Sequence, residues 1–248
     1  MLKDIHKGVT SYQKQKDTSA SFKDTGAQQA MTATVTSQVS TRQDAPASSA
    51  DGEVDGHFLE VDGERYYVIE HADKMAPFFV SIVSDADHWL FVSSTGGLTA
   101  GRVSPATALF PYVTVDKIHD SAVHTGCKTI LQLGIDGKHY EWEPFNMEHD
   151  GLYQITRNIY KNTLGNKLRF EEINHDLQLL YRYTWETSDK YGFVRRCELT
   201  NLSQDDVEVD IVDGLQNILP AGTPRFLQER SSNLVDAYKW SELDPPSG

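Results

Sequence analysis

Short segments in which apolar and polar residues alternate recur along the chain from residue 51 onward. Two of them flank Asp62-Gly63 and two flank Asp136-Gly137. An Asp-Gly pair between alternating segments predicts a tight β-hairpin, because both central residues of the turn need positive φ. We predict another hairpin around the loop 201–206. The further segments of this type are 78–83, 89–94, 153–159, 167–173, 177–185, 193–199 and 207–212.

Strands of this length at spacings of about ten residues are typical of a β-sandwich. No alternation of strands with helices is visible, which argues against an α/β fold. We therefore predict an all-β fold, a large antiparallel β-sandwich with a short C-terminal helical segment. That segment, 225–240, is predicted as one helix or two short ones, and Pro245-Pro246 cannot continue it.

The composition divides the chain into three parts. Residues 1–50 are rich in small and polar residues and poor in large apolar ones, so they cannot offset the entropy of ordering. We interpret 1–50 as a flexible tail, with a partner-docking helix over about 25–39 as the alternative. Residues 51–224 form the predicted sandwich domain, and 225–248 are predicted to begin a helical linker at which the chain is truncated.

The chain is acidic, with 36 Asp plus Glu, 23 Lys plus Arg and a formal net charge of −13. Residues 1–50 carry 6 basic and 4 acidic residues, so the negative charge lies in the remainder. Such a charge repels nucleic-acid phosphates and anionic membrane surfaces, and we expect neither as a partner. Neutral ligands such as sugars are compatible with it, but the charge does not single them out.

No apolar run approaches the roughly 18 residues of a transmembrane helix. Charged residues interrupt the N-terminal segment where a signal peptide needs an apolar core. We therefore predict a cytoplasmic protein. Cys127 and Cys197 are the only cysteines, too few for a disulfide framework. Their apolar neighbours indicate buried small residues rather than catalytic thiols.

Two segments are candidates for binding a ligand. The first, 95–102 (TGGLTAGR), contains three glycines, which allow a sharp turn or a close approach to a neighbour. Thr95 and Arg102 are its candidate binding residues, and a surface loop held by an Arg102 ion pair is the alternative. In the second, Phe110 and Tyr112 flank Pro111 and form a rigid apolar surface suited to stacking on a sugar ring. Core packing explains that segment equally well.

Acidic residues and histidines give weaker signals. Glu141 and Glu143 fall on one face of a strand, and paired carboxylates carry out glycoside chemistry. A solvated strand face explains them better, because they are closer together than an inverting mechanism requires. The histidines are scattered without ligand spacing. We therefore predict no metal site, no cofactor and no catalytic residue.

Several motifs together resemble the N-terminal region of bacterial carbohydrate-active proteins related to cellobiose phosphorylases (glycoside hydrolase family 94 type). The resemblance covers about residues 75–240. The motif at 196–203, where a strand leads into Thr-Asn-Leu-Ser, is weak, whereas the stretches that contain Gly96-Gly97 and Phe110-Pro111-Tyr112 are more distinctive. The motifs are 79–89 (FVSIVSDADHW), 93–97 (SSTGG), 108–112 (ALFPY), 158–166 (NIYKNTLGN), 171–176 (EEINHD) and 196–203 (RCELTNLS).

The resemblance implies a β-supersandwich, a fold that resembles galactose mutarotases. It also implies a chain that is not catalytic by itself, because the family's general acid and phosphate site lie mainly in a following (α/α)₆ barrel. The expected function is a non-catalytic domain that packs on this missing barrel and lends loops to its site. The expected partners are an oligosaccharide, the missing catalytic domain and a second copy of the chain.

Two alternatives remain open. The first is an autonomous sugar-binding module that uses an exposed Trp such as Trp89 or Trp142. The second is a small mutarotase-like epimerase that would pair His124 or His175 with Glu143 or Glu172.

Overall fold

The structure is a computed structural model that describes residues 31–35, 51–220 and 223–237. The described chain consists of β-strands, four short 3₁₀ turns and two short helices. The strands are β1 Met31–Val35, β2 Asp55–Val61, β3 Glu64–Glu70, β4 Phe79–Ile82, β5 His88–Ser93, β6 Leu98–Arg102, β7 Gly126–Ile135, β8 Lys138–Trp142, β9 Ile155–Asn162, β10 Lys167–Asn174, β11 Leu179–Ser188, β12 Gly192–Asn201 and β13 Val207–Gln216. The helices are α1 Arg225–Arg230 and α2 Ser232–Ala237.

Three antiparallel sheets share one hydrophobic core. The six-stranded sheet has the order β12-β11-β10-β9-β3-β2, the four-stranded sheet β1-β13-β7-β8, and the three-stranded sheet β4-β5-β6. The predicted all-β sandwich with a short C-terminal helical segment is confirmed. Side chains from all three sheets meet in the core, among them Leu90, Val92, Leu98, Leu131, Leu133, Leu168, Phe170, Tyr183 and Val209.

Both Asp-Gly hairpins form as predicted. Asp62 and Gly63 have φ of 52° and 78° between β2 and β3. Asp136 and Gly137 have φ of 51° and 73° between β7 and β8. Positive φ at both central positions is the geometry that the strand twist favours.

The predicted hairpin around 201–206 is wrong. Strand β12 pairs with β11 in the six-stranded sheet, whereas β13 pairs with β7 and β1 in the four-stranded sheet. The loop therefore carries the chain from one sheet to the other. Local sequence shows that two strands flank a loop, but their partners depend on long-range packing that local sequence does not contain.

The glycine-rich segment is only partly a loop. A turn at 95–97 leads into β6, which pairs with β5. Leu98 and Ala100 face the core, while the small residues Thr99 and Gly101 alternate with them on the opposite face. Without bulky residues on that face, β6 does not show the alternation that identified the other strands.

The predicted tail 1–50 is described only at Met31–Val35, which forms β1 and pairs with β13. The alternative helix over about 25–39 is not found at these five residues, where Thr and Val favour an extended strand. The rest of both predictions lies outside the described residues. At the other terminus, 225–237 forms two short helices as one of the two alternatives stated. Among the described residues, no helix is long and apolar enough to cross a membrane.

A buried carboxylate links two of the sheets. Glu172 on β10 is 1% exposed, and its Oε2 accepts hydrogen bonds from Arg157 Nε (2.7 Å) and the Phe145 amide (2.7 Å). Its Oε1 accepts a hydrogen bond from Trp142 Nε1 (2.9 Å), which comes from the four-stranded sheet. Trp142 is thus a core residue with a satisfied indole N–H rather than an exposed sugar-stacking residue.

The neighbouring carboxylate, Glu171, points to the opposite face of β10 and is also fully buried. Its Oε1 accepts hydrogen bonds from Asn158 Nδ2 (2.9 Å) and Tyr160 Oη (2.8 Å), and its Oε2 contacts Arg182 Nε. Desolvation raises the pKa of Tyr160, and the adjacent Glu171 adds to that rise. Both acids therefore have structural partners.

We predict that Glu172→Gln lowers the free energy of unfolding by about 3 kcal/mol, because it removes the buried counter-charge of the 9% exposed Arg157 side chain and leaves only the half-exposed Asp150 to pair with it. Urea unfolding monitored by circular dichroism measures the change. The matched control is Glu186→Gln, whose partner Arg196 is 62% exposed; we expect it to shift stability by less than about 1 kcal/mol. Equal effects of the two substitutions would contradict a special role for Glu172.

Candidate functional site

The outer face of the three-stranded sheet carries aromatic side chains. Residues alternate along β5, so Leu90 and Val92 pack into the core while Trp89 and Phe91 lie on the other face. Strand β4 adds Phe79 beside them, and this side chain is 43% exposed. Solvent thus reaches a row of rings on a sheet whose inner face is fixed by the core.

These three rings form the aromatic platform, defined here as Phe79, Phe91 and Trp89. The ring centroids of Phe79 and Phe91 are 5.3 Å apart with 30° between their planes. Those of Trp89 and Phe91 are 5.7 Å apart with 31° between planes. At these distances, the small interplanar angles describe rings that pack partly over one another. The platform is therefore one contiguous aromatic cluster, and Phe79 is its most exposed member.

Trp89 can lie close to β6 because its cross-strand partner is a glycine. Trp89 pairs with Gly101, and a Cβ added to Gly101 would lie 2.5 Å from Trp89 Cζ2 and 2.9 Å from the Thr107 carbonyl oxygen. The position therefore requires the absence of a side chain rather than an unusual φ. An aromatic residue covering a glycine on a neighbouring strand is a known device for stabilising sheets.

Tyr112 bounds one end of the aromatic platform. Its ring lies edge-on to Trp89, with centroids 5.9 Å apart and 77° between planes. The guanidinium of Arg225, at the start of α1, lies 5.0 Å from the Tyr112 ring centroid. Arg225 Nε also donates a hydrogen bond to Glu229 (2.6 Å). A cation over the ring, held by its own carboxylate, fixes this end of the platform.

A 3₁₀ turn, Ile118–Ser121, bounds the other end. The Ile118 carbonyl occupies the space that a side chain at Gly97 would need. His119 Nδ1 lies 2.7 Å from Ser93 Oγ, and Thr95 Oγ1 donates a hydrogen bond to the His119 carbonyl (2.8 Å). The turn is therefore tied to the end of β5, and Thr95 is one of the residues that hold it.

The structure separates the four sequence-predicted binding residues. Tyr112 lies at the aromatic platform. Thr95 lies beyond the opposite end of β5 and faces a separate cleft, called here the second cleft, which is lined by Lys128, Glu143, Tyr181 and Tyr183 among others. Arg102 is exposed where β6 ends. Phe110 is 5% exposed and packs in the core, so the core-packing interpretation applies to it and its ring offers no face to a ligand.

The second cleft holds a charged pair. Lys128 and Glu143 form an ion pair whose side chains are 38% and 13% exposed, whereas Glu141 is exposed on its strand. Tyr181 and Tyr183 form the apolar floor. Burial raises the pKa of both tyrosines, so they stay protonated at neutral pH.

Tyr181 is held from behind by a buried polar cluster. Its hydroxyl lies within hydrogen-bonding distance of Thr129 Oγ1 (2.7 Å), Arg195 Nη2 (3.1 Å) and Asp213 Oδ1 (3.1 Å). Arg195 also donates to Asp213 Oδ1 (2.6 Å). Burial opposes ionisation of Asp213, but the hydrogen bonds and positive charge of Arg195 outweigh it and lower the pKa of the carboxyl. These contacts hold Tyr181 in place, and they leave Arg195 Nε as the buried guanidinium nitrogen of the cluster without a partner among the described residues.

The epimerase alternative requires a histidine beside an acid, and the described contacts of its candidate acids are different. Glu172 is enclosed by Trp142, Phe145 and Arg157, and Glu143 pairs with Lys128. His175 Nε2 lies 2.9 Å from Thr156 Oγ1, so its described side-chain contact is with a hydroxyl rather than with a carboxylate. Within residues 31–35, 51–220 and 223–237, no group of three or more His, Cys, Asp or Glu side chains is placed to hold a metal ion.

Phe79 and Phe91 of the aromatic platform were not among the binding residues predicted from the sequence. Trp89 was considered as a stacking residue, and the period of two along β5 places Phe91 on the same face, so that signal was available. Phe79 joins them only through the β4–β5 register, which aligns it with Ser93. Arg225 reaches Tyr112 from a distant part of the chain, and no local pattern indicates this contact.

The fold and site together define a class: an all-β sandwich protein with an aromatic platform on the outer face of its smallest sheet. Neither a protein-family model nor a curated protein sequence matches the chain. The resemblance to proteins related to cellobiose phosphorylases therefore stays an expectation.

The two cysteines are predicted to be unreactive in the folded protein. Burial raises the pKa of Cys127 to about 11 and that of Cys197 to about 12, although the charge of Arg195 acts in the opposite direction. Because the thiolate is the nucleophile, alkylation by iodoacetamide at pH 8 should be much slower in the native protein than in guanidinium. Mass spectrometry of the time course checks this, and equal rates would contradict it.

We predict that Gly101→Ala displaces Trp89 and lowers the free energy of unfolding by about 2 kcal/mol, because overpacked positions force neighbours to shift. Near-ultraviolet circular dichroism and urea unfolding report the two effects. Gly214→Ala on β13 is the control, because an added Cβ there meets no atom within 4 Å. Unchanged aromatic signals and stability in Gly101→Ala would show that the close approach is not needed.

Proposed function

We propose that this chain is a non-catalytic β-sandwich domain of a carbohydrate-active protein and that it binds saccharide on the aromatic platform. The observation that carries the proposal is the geometry of Phe79, Phe91 and Trp89, whose neighbouring planes differ by only 30° and 31°. One face of a pyranose ring consists largely of C–H groups, and such a face stacks on aromatic rings. Aromatic side chains with a few polar groups at the margin are the usual lining of ligand sites.

Two further features support this proposal. Phe79 is 43% exposed and Trp89 and Phe91 are half-buried beside it, and exposed apolar patches mark binding surfaces more often than chance. The rigid sheet beneath the platform holds the rings in place without a ligand, because Leu90 and Val92 anchor the same strand in the core. Pre-organised rings lose little conformational freedom when they bind. The net charge of −13 also favours a neutral ligand over an anionic one.

The proposal keeps the expectation drawn from the family resemblance. In a longer protein, this domain would pack on an (α/α)₆ catalytic barrel and present its loops to the barrel's sugar site. Tyr112 and the 3₁₀ turn at 118–121 bound the platform, so they are the segments best placed to contact a saccharide shared with a neighbouring domain. Catalysis itself is assigned to that neighbouring domain.

The test is a calorimetric titration of the full chain with glucose, cellobiose and laminaribiose, with and without phosphate. We expect a dissociation constant of about 1 mM for at least one saccharide, since a few stacked rings on an open surface give weak binding. Trp89→Ala should weaken it at least about tenfold, equivalent to about 1.4 kcal/mol. Tyr112→Ala should weaken it less, because its ring meets Trp89 edge-on.

Tyr191→Ala is the matched control, because Tyr191 is 57% exposed and lies in the β11–β12 turn, outside the platform. It should bind as the unmodified chain does. Absence of heat with every saccharide from a folded sample would contradict saccharide binding by this chain. In that case the platform is better explained as a contact surface for another domain or for a second copy of the chain.

A further inference from the structure

Two polar atoms beside the aromatic platform lack hydrogen-bond partners. Thr99 is 2% exposed, and neither its Oγ1 nor the Nε1 of Trp89 has a partner among the described residues. Most buried polar groups in proteins are hydrogen-bonded, and leaving one unpaired lowers stability. Trp185 and Asn174 also carry such an atom, but they lie on the six-stranded sheet, whereas Thr99 and Trp89 lie on neighbouring strands beside the platform.

The Thr99 hydroxyl and the Trp89 indole N–H both lie on the β6 side of the platform. Thr99 pairs with Phe91 and Gly101 pairs with Trp89, so Thr99 and Trp89 are diagonal cross-strand neighbours on the platform face. The Cζ2 atom of Trp89 lies against Gly101, and the adjacent ring carbon carries Nε1. The indole N–H is therefore on the β6 side of the ring, the side on which Thr99 lies.

Residues 113–117 connect Tyr112, at one end of the aromatic platform, with the 3₁₀ turn 118–121 at the other end. The preceding residue, Tyr112, contacts Trp89, and the following one, Ile118, lies over Gly97. Because Gly97, Thr99 and Gly101 follow one another on the same face of β6, the connecting residues cross the level of Thr99. The backbone hydrogen bonds described within this segment are local, from Lys117 and Ile118 to the Thr114 carbonyl.

We propose that the Thr99 hydroxyl and the Trp89 indole N–H are the polar contacts of the saccharide that stacks on the platform. Segment 113–117 shifts to admit the sugar. One ring hydroxyl then accepts a hydrogen bond from the indole N–H, and another forms a hydrogen bond with the Thr99 hydroxyl. This inference rests on the proposed function and adds to it. It assigns the platform a ligand that is hydroxylated at the edge of its apolar face, rather than a purely apolar one.

The discriminating variant is Thr99→Val, which keeps the shape of the side chain and removes the hydroxyl. Without ligand, the melting temperature should rise, because an unpaired buried polar group is replaced by an apolar one. The affinity for the saccharide that binds in the titration above should fall about tenfold. Trp89→Phe should likewise weaken binding while retaining part of the stacking that Trp89→Ala removes. Thr200→Val, exposed on β12, is the control and should change neither quantity.

The outcomes separate this inference from the proposed function. Loss of binding in Trp89→Ala with unchanged affinity in Thr99→Val and Trp89→Phe would overturn the polar contacts and leave the platform as the sugar site. A lower melting temperature of Thr99→Val without ligand would also overturn the inference, because the hydroxyl would then stabilise the free protein. Failure of the unmodified chain to bind any of the three saccharides would overturn both proposals.

Discussion

The contact between Trp89 and Gly101 is the constraint on which the candidate site depends. A large indole lies against a strand only where that strand has no side chain, and here even one added carbon would come within 2.5 Å of the ring. Because the indole is held against β6, its ring packs on Phe91, which in turn packs on Phe79. The same contact turns the indole N–H toward β6, where Thr99 also lacks a partner.

The rest of the sandwich holds this arrangement in place from below. Leu90 and Val92 alternate with the platform residues on β5 and are buried in a core that all three sheets share. Glu172 joins that core to the four-stranded sheet through the Trp142 indole. The buried carboxylates Glu171 and Glu172 have several partners each, whereas Thr99 Oγ1 and Trp89 Nε1 have none among the described residues.

The sequence predicted most strands and both Asp-Gly turns because these depend on local alternation and on positive φ at neighbouring residues. It failed where the outcome depends on distant partners. Strands β12 and β13 enter different sheets, and β6 is a strand although its outer face carries only Thr99 and Gly101 between buried residues. For the site, alternation along β5 indicated Trp89 and Phe91, but Phe79 and Arg225 reach it through register and tertiary packing. Phe110 and Tyr112 are two residues apart, yet one packs in the core and the other at the platform.

The most direct test of the platform as a saccharide site is nuclear magnetic resonance of the indole N–H groups during titration with cellobiose. The chain has four tryptophans, so four indole signals are expected, and substitution of each residue assigns them. We predict a dose-dependent shift of the Trp89 signal and a constant Trp142 signal, because Trp142 is buried and its indole N–H donates a hydrogen bond to Glu172. A Trp89 signal that stays constant up to the highest soluble sugar concentration would contradict saccharide binding at the platform.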